Sequence, residues 1–189
     1  FADGAVAVAG DSIVGVGRAE DLRHRFCPTS VLDVGGGIVH PGFVDGHVHI
    51  SQHLGRGMIP DSWPEEREHE QWKPYWLHMS RDDARCSAML ACLEMLRNGT
   101  TTFADNGGRF NSELNAEVIE AVGLRGMVSE VCWDLPPYPE VATPGYGSAT
   151  TTGCLERLER LCKKYPWLRG SRVWAGVSMA GMALCSDEL

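Results

Sequence analysis

The sequence predicts an α/β chain: the first four βα units of a (β/α)8 TIM-type barrel, preceded by a small, incomplete β-module. Three observations carry that expectation. From His40 onward, apolar strand-like runs alternate with amphipathic segments in the order β-α-β-α-β-α-β, and repeated βα units imply a parallel sheet with right-handed crossovers. A doubly wound sheet would share that order, but no Gly-rich phosphate turn follows the first strand. Two histidines, His47 and His49, stand at that strand's C-terminal end, where barrel sites are built. Residues 39–189 supply only part of the roughly 250 residues of a complete barrel, so the barrel expected here is half of one.

The elements follow from local pattern. Residues 1–38 read as the N-terminal part of a β-sandwich-like module. Ala5 to Ala9, the pair Gly10-Asp11, and Ser12 to Val16 form a hairpin pattern. Ala19 to Phe26 suits a short helical turn, and Val31-Leu32-Asp33-Val34 suits a third strand closed by Gly35-Gly36-Gly37.

In the second region, residues 39–189, a Pro41-Gly42 turn opens a strand ending at His47-Val48-His49. A long polar segment, 51–79, follows. Ser80 with Asp83 is a capping-box pattern, and the helix it opens runs to about Arg97, with Ala88, Leu90, Ala91, Leu93, Met95 and Leu96 as its apolar side. Asn98-Gly99 ends it. Then come a strand over Thr100 to Ala104, a helix over Ser112 to Val122, and a strand over Gly126 to Val131. A Pro/Gly-rich loop leads to a helix over Thr152 to Tyr165, then a strand over Arg172 to Val177 and a helix start at Ser186.

The chemistry concentrates on the first of these strands. Residues i and i+2 of a strand face the same way, so His47 and His49 can aim both imidazoles at one point, as a pair of metal ligands requires. A divalent ion held by neutral imidazoles makes hydroxide available near neutral pH, which attacks an sp² carbon bearing a nitrogen or chlorine leaving group. A carboxylate then carries the proton. Two His do not suffice, because catalytic zinc sites use three or more protein ligands. Asp45 is expected to orient the strand's end, and Asp105, which ends the second strand, to serve a turn or helix cap, with an approach to the site as the alternative. His53, Arg56, Trp63, His69, Trp72 and Trp76 lie in or near the long loop, where aromatic residues suit stacking on a flat ring or lid packing equally well.

Composition narrows the function classes. The chain has 189 residues, 43% of them hydrophobic, enough to bury a core. A net charge of −8 and the lack of any basic run argue against nucleic acid or an anionic membrane surface as partner. No apolar stretch reaches the length of a membrane span. The chain opens Phe1-Ala2-Asp3-Gly4, with neither an initiator Met nor a signal-peptide pattern. A start inside a longer protein and a cytoplasmic location are expected. Seven dispersed cysteines suit free thiols better than disulfides or a metal site.

The sequence resembles the amidohydrolase superfamily, in the branch of cytosine, guanine and S-adenosylhomocysteine deaminases and triazine chlorohydrolases. The matching stretches are Asp11 to Gly17, like the opening β-module, and Val39 to His49, like the PGxVDxHxH strand. Glu94 to Asp105, Ala121 to Gly126 and Cys185 to Leu189 also match. The resemblance implies a (β/α)8 barrel around one divalent metal ion, zinc with iron as the alternative, with His47 and His49 as the two ligands from the first strand. A third His, an Asp and the proton-transferring Glu and His are expected beyond residue 189, so the catalytic residues are unknown here and the 189-residue piece alone is expected to be inactive. Gln52 matches a position that faces substrate in guanine-deaminase-like members.

The implied activity is hydrolysis of C–N bonds other than peptide bonds, foremost deamination of a heterocyclic amine. A ring-opening cyclic amidohydrolase and an inactive truncated relative are the alternatives. A small heterocyclic or amide substrate is implied as partner, and a homo-oligomer when complete. One departure stands out. Members often carry a substrate-contacting His before the Cys-Ser segment, whereas residues 178–184 here hold none, which argues against a nucleoside-type substrate.

Overall fold

The computed structural model describes residues 1–58, 71–108, 112–135, 150–181 and 184–189, without the side chains of Lys73 and Trp76. The chain divides into two compact units, Phe1–Pro41 and Gly42–Leu189.

In the first unit, β1 (Gly4–Ala9) pairs antiparallel with β2 (Ser12–Arg18) through the turn at Gly10 and Asp11, with a bulge at Ala7/Val8. Helix α1 (Ala19–Arg25) follows directly. It carries Glu20 and Asp21 in its first turn and Arg23, His24 and Arg25 in its last, as the helix dipole favours. Its Leu22 is buried. The strand expected over Val31 to Val34 does not form, and Val31 and Leu32 are exposed. Asp33 Oδ1 accepts the Gly35 N–H at 2.8 Å, and the Gly37 N–H bonds to the Val34 carbonyl at 3.0 Å. These local turns consume the backbone that a ladder would have used.

The second unit is built on a parallel sheet in the order β3 (Phe43–Val48), β4 (Thr100–Asp105), β5 (Arg125–Cys132), β6 (Val173–Met179). A 3-10 helix, Ile50–Gly55, and helix α2 (Lys73–His78) occupy the described parts of the long segment after β3. Helices α3 (Arg81–Arg97), α4 (Ser112–Val122) and α5 (Thr151–Lys164) lie between successive strands. The capping box at α3 forms as expected: Ser80 Oγ accepts the Asp83 N–H, and Asp83 Oδ2 accepts the Ser80 N–H. Among the described residues no helix is long and apolar enough to cross a membrane.

Phe103, Ile119, Val118, Leu124, Val128, Leu161 and Val173 form the core between sheet and helices, with Ile50 sealed into the same cluster. Helix α3 meets that core through small residues. Ala84, Ser87, Ala88, Ala91 and Cys92 are buried, whereas Leu90, Leu93 and Leu96 are 39%, 47% and 43% exposed. Of the apolar side expected, Ala88 and Ala91 are buried and Met95 packs on the core, whereas Leu90, Leu93 and Leu96 do not belong to the buried face. The buried stripe runs 84-87-88-91-92, the i, i+3, i+4, i+7, i+8 spacing of one helix face, and its short side chains let α3 lie close against the 3-10 helix and β4. At Asp187 and Glu188, where a helix start is expected, the chain makes a turn in its last described residues. Ser186 gives both its N–H and its hydroxyl to Asp134, at 2.7 and 2.5 Å.

Candidate metal centre

Because all four strands of the sheet are parallel, Val48, Asp105, Cys132 and Met179 end them along one edge. His47 lies in β3 and His49 immediately after it. Their ring centroids are 5.3 Å apart in an edge-to-face arrangement of 78°. Simple strand alternation is not what brings them together. The pairing of β3 with β4 shifts between Asp45, opposite Phe103, and Val48, opposite Asp105. Three residues of one strand span two of the other there, a bulge of the kind that re-aims side chains. Asp45 braces the bulge, its Oδ1 accepting the His47 N–H at 3.1 Å, as expected of a residue orienting the strand's end.

His47 is exposed and His49 half-buried. The Nδ1 of His49 stands 2.7 Å from the Gly107 carbonyl oxygen. A carbonyl only accepts, so Nδ1 carries the proton and Nε2 keeps a free lone pair in the neutral ring. Metal-ligating histidines are held in this way, with one ring nitrogen donating to a backbone oxygen while the other is presented to the ion. The donor chemistry of this pair thus fits a divalent ion. Among the described residues no group of three or more His, Cys, Asp or Glu could hold a metal ion.

Asp105 serves a turn and a helix start, as expected: its carboxyl accepts from the Gly107 N–H two residues on and from the Ile50 N–H that opens the 3-10 helix. It is fully buried at the end of β4. Its Oδ1 accepts the Ile50 N–H at 3.2 Å and its Oδ2 accepts from Asn115 Nδ2 at 2.6 Å. Its backbone carbonyl accepts the Ser129 hydroxyl at 2.7 Å, and the Ser129 carbonyl accepts the Ser112 hydroxyl at 2.6 Å. Burial pushes the Asp105 carboxyl up to about 6, against the opposing pull of Asn115, the Ile50 N–H and His49. Asn115, Ser129 and Gly107 were not singled out by the sequence. The available signals were the Asp-Asn-Gly-Gly run closing β4 and a serine within the Met127-Val128-Ser129 stretch of β5.

The other loop candidates separate. Gln52 is half-buried one turn beyond His49, its N–H bonded to the His49 carbonyl at 3.0 Å. His53 and Arg56 turn instead to Glu94 on α3. His53 Nε2 lies 2.9 Å from Glu94 Oε2, and the Arg56 guanidinium forms a two-pronged pair at 2.7 and 2.7 Å. That pairing, led by Arg56, holds the Glu94 carboxyl down to about 2. Trp72 stacks edge-on against Tyr75 at 5.7 Å and packs on the Met79, Ala84 and Leu114 cluster, a packing role. Trp63, His69 and the side chain of Trp76 lie outside the described residues. The seven cysteines are free thiols. Burial pushes the Cys92 and Cys132 thiols up to about 12, which keeps them protonated and unsuited to ligation.

The amidohydrolase family profile matches residues 38–181. A 5-methylthioadenosine/S-adenosylhomocysteine deaminase of Syntrophobacter fumaroxidans is 39% identical over 147 residues, 78% of this chain and 32% of that protein. The 5-methylthioadenosine/S-adenosylhomocysteine deaminase 1 of Syntrophus aciditrophicus is 33% identical over 99% of this chain and 40% of its own length. This chain therefore spans well under half of either relative. The solved structure of an adenosine deaminase from Xanthomonas campestris with bound zinc superposes with a TM-score of 0.77 at 26% identity, covering 94% of this chain and 38% of that one. A guanine deaminase from C. acetobutylicum with bound guanine shares the fold, with a TM-score of 0.78 at 20% identity over 99% of this chain and 43% of that one. With three quarters of its length inside the family profile, and the histidine strand at the head of the matched region, the chain belongs to the amidohydrolase family.

Proposed function

We propose that this chain is the metal-binding N-terminal part of an enzyme that hydrolytically deaminates an adenosine-like heterocyclic amine. The observation that carries the reading is the His47/His49 pair at the carboxyl edge of a parallel sheet, with Nδ1 of His49 committed to the Gly107 carbonyl. Residues 39–189 are read as the first half of a (β/α)8 barrel, and residues 1–38 as part of a β-sandwich-like module. His47 and His49 are two ligands of one divalent ion, zinc by analogy with the zinc-bound Xanthomonas campestris structure. When bound, the ion supplies the Lewis acidity that lets water act as a nucleophile near neutral pH.

This chain's own residues hold and orient. His49 presents Nε2 from a ring fixed at Nδ1, and His47 completes the pair from the bulged strand. Gln52, one helical turn away, is placed to read a heterocycle edge with its amide. The remaining ligands and the proton-transferring groups are supplied beyond residue 189, and the substrate is a small molecule handled in the cytoplasm.

The relatives' names favour nucleoside-type substrates, and they weigh more than the missing His in residues 178–184. Ring-opening amidohydrolysis is less well supported, because β6 carries no Lys that could bridge two metals. The test is ammonia release by the full-length, zinc-loaded protein from 5-methylthioadenosine, adenosine and guanine, with a cyclic amide alongside. Ammonia from a purine supports the reading. Ring opening of the amide without ammonia from any purine overturns it.

A further inference from the structure

We infer that the three residues Asp105, Asn106 and Gly107 act together as a positioning clamp that fixes the ring of His49 and the backbone on either side of it. The inference rests on the reading of His47 and His49 as metal ligands and names the residues that make them competent. The consecutive residues Val48, His49 and Ile50 are each bonded to one residue of the clamp. The Val48 carbonyl accepts the Asn106 N–H at 2.9 Å. The His49 Nδ1–H donates to the Gly107 carbonyl at 2.7 Å. The Ile50 N–H donates to Asp105 Oδ1 at 3.2 Å. Backbone before the ring, the ring itself and backbone after it are thus tied to one short stretch.

The clamp is itself anchored from behind. Asn115 on α4 holds the second carboxylate oxygen of Asp105, and Ser129 on β5 holds its carbonyl. Gly107 has φ +84°, a left-handed conformation that favours glycine. A Cβ there would lie 2.4 Å from the Ser129 carbonyl oxygen and 3.0 Å from Val131 Cγ2. No side chain fits without a shift of the Gly107 backbone, whose carbonyl accepts the His49 N–H, or of the Ser129 and Val131 atoms it meets. A carbonyl turned away, or moved by about 1 Å, breaks this bond and frees the ring to rotate or change tautomer. Gly107 meets His49 through its backbone carbonyl, so it is a positioning residue acting through His49.

The test uses the full-length protein. In the metal-free wild type, ¹⁵N chemical shifts should report His49 as the Nδ1–H tautomer. Gly107→Ala should lose that signature and bind zinc about 10- to 100-fold more weakly in competition with a chelator, with the far-UV circular dichroism of the wild type. Asn115→Ala, which releases the Asp105 carboxylate without touching the histidine strand, should weaken zinc binding in the same direction. An Nε2–H tautomer for His49 in the wild type overturns the inference, and that measurement stands even where Gly107→Ala fails to fold. Wild-type zinc affinity in a folded Gly107→Ala overturns it as well. Failure of the underlying reading looks different: zinc content would then be indifferent to His47→Ala and His49→Ala themselves.

Discussion

Two aspartates close neighbouring strands of one sheet, and their surroundings drive them in opposite directions. Asp105 ends β4 in a fully buried position, where desolvation pushes its carboxyl up to about 6 despite two hydrogen bonds to its oxygens. Asp134 stands two residues past β5, half-buried. The Ser186 hydroxyl, the Thr151 hydroxyl and the Ser186 N–H hold its carboxyl below the usual carboxylate range. Both are strand-end carboxylates that accept donors distant in sequence. The difference is water. At Asp134 donors add to a charge that solvent already tolerates, so the residue works as a surface clip. At Asp105 the donors replace solvent, and every unmatched bond there is costly. Asp105 is the dry one of the two, beneath a histidine pair of which His47 is exposed and His49 half-buried.

The comparison has consequences that differ in size. The largest is at the ligands: His49→Ala in the full-length protein should drop zinc from about one ion per chain toward zero and abolish deamination, by elemental analysis and ammonia assay. Next comes Asp105→Ala, which orphans the Ile50 N–H and the Asn115 amide in the interior. It should cost about 2–5 kcal/mol in urea denaturation, while Asp134→Ala should cost clearly less. Equal losses would erase the distinction between the two aspartates. A third effect is the pH dependence. The Asp134 carboxyl is lowered on folding from an ordinary value near 3.8, so its stabilisation is present above that value and is lost as the pH falls through the lowered one. The melting temperature of Asp134→Asn should therefore lie below the wild type's at neutral pH and converge with it in acid. The smallest effect belongs to Arg56→Ala. The guanidinium is 64% exposed in its pair with Glu94, and exposed pairs contribute little. Zinc content and KM should not change, and a large rise in KM would return Arg56 to the substrate site.

What the sequence revealed was what local pattern can encode. The βα alternation, the capping box at Ser80, the helix over Ser112 to Val122 and the histidine pair all rest on residues within a few positions of one another. The misses have the opposite character. Val31 to Val34 has strand composition, but Asp33 closes a turn instead. Leu90, Leu93 and Leu96 look like a core stripe, but α3 turns its alanines inward, a choice made by the surface it packs on. Asp105 meets Ile50 and Gly107 meets His49 across separations of 55 and 58 residues, and no periodicity announces such a meeting. His53 and Arg56 resembled site residues because they stand near His49 in sequence, whereas in space Glu94 claims both.

Those long separations also order events in time. Contacts far apart along the chain form only after the intervening segment has been closed, an entropic cost that slows them relative to local helices and turns. His49 leaves the ribosome well before Gly107 does, and until Gly107 arrives its ring has no carbonyl to choose its tautomer. A nascent chain therefore passes through a stage in which both histidines exist but neither is set for an ion. On the proposed reading of His47 and His49 as ligands, metal loading would be a late step of maturation that follows the docking of β4 beside β3.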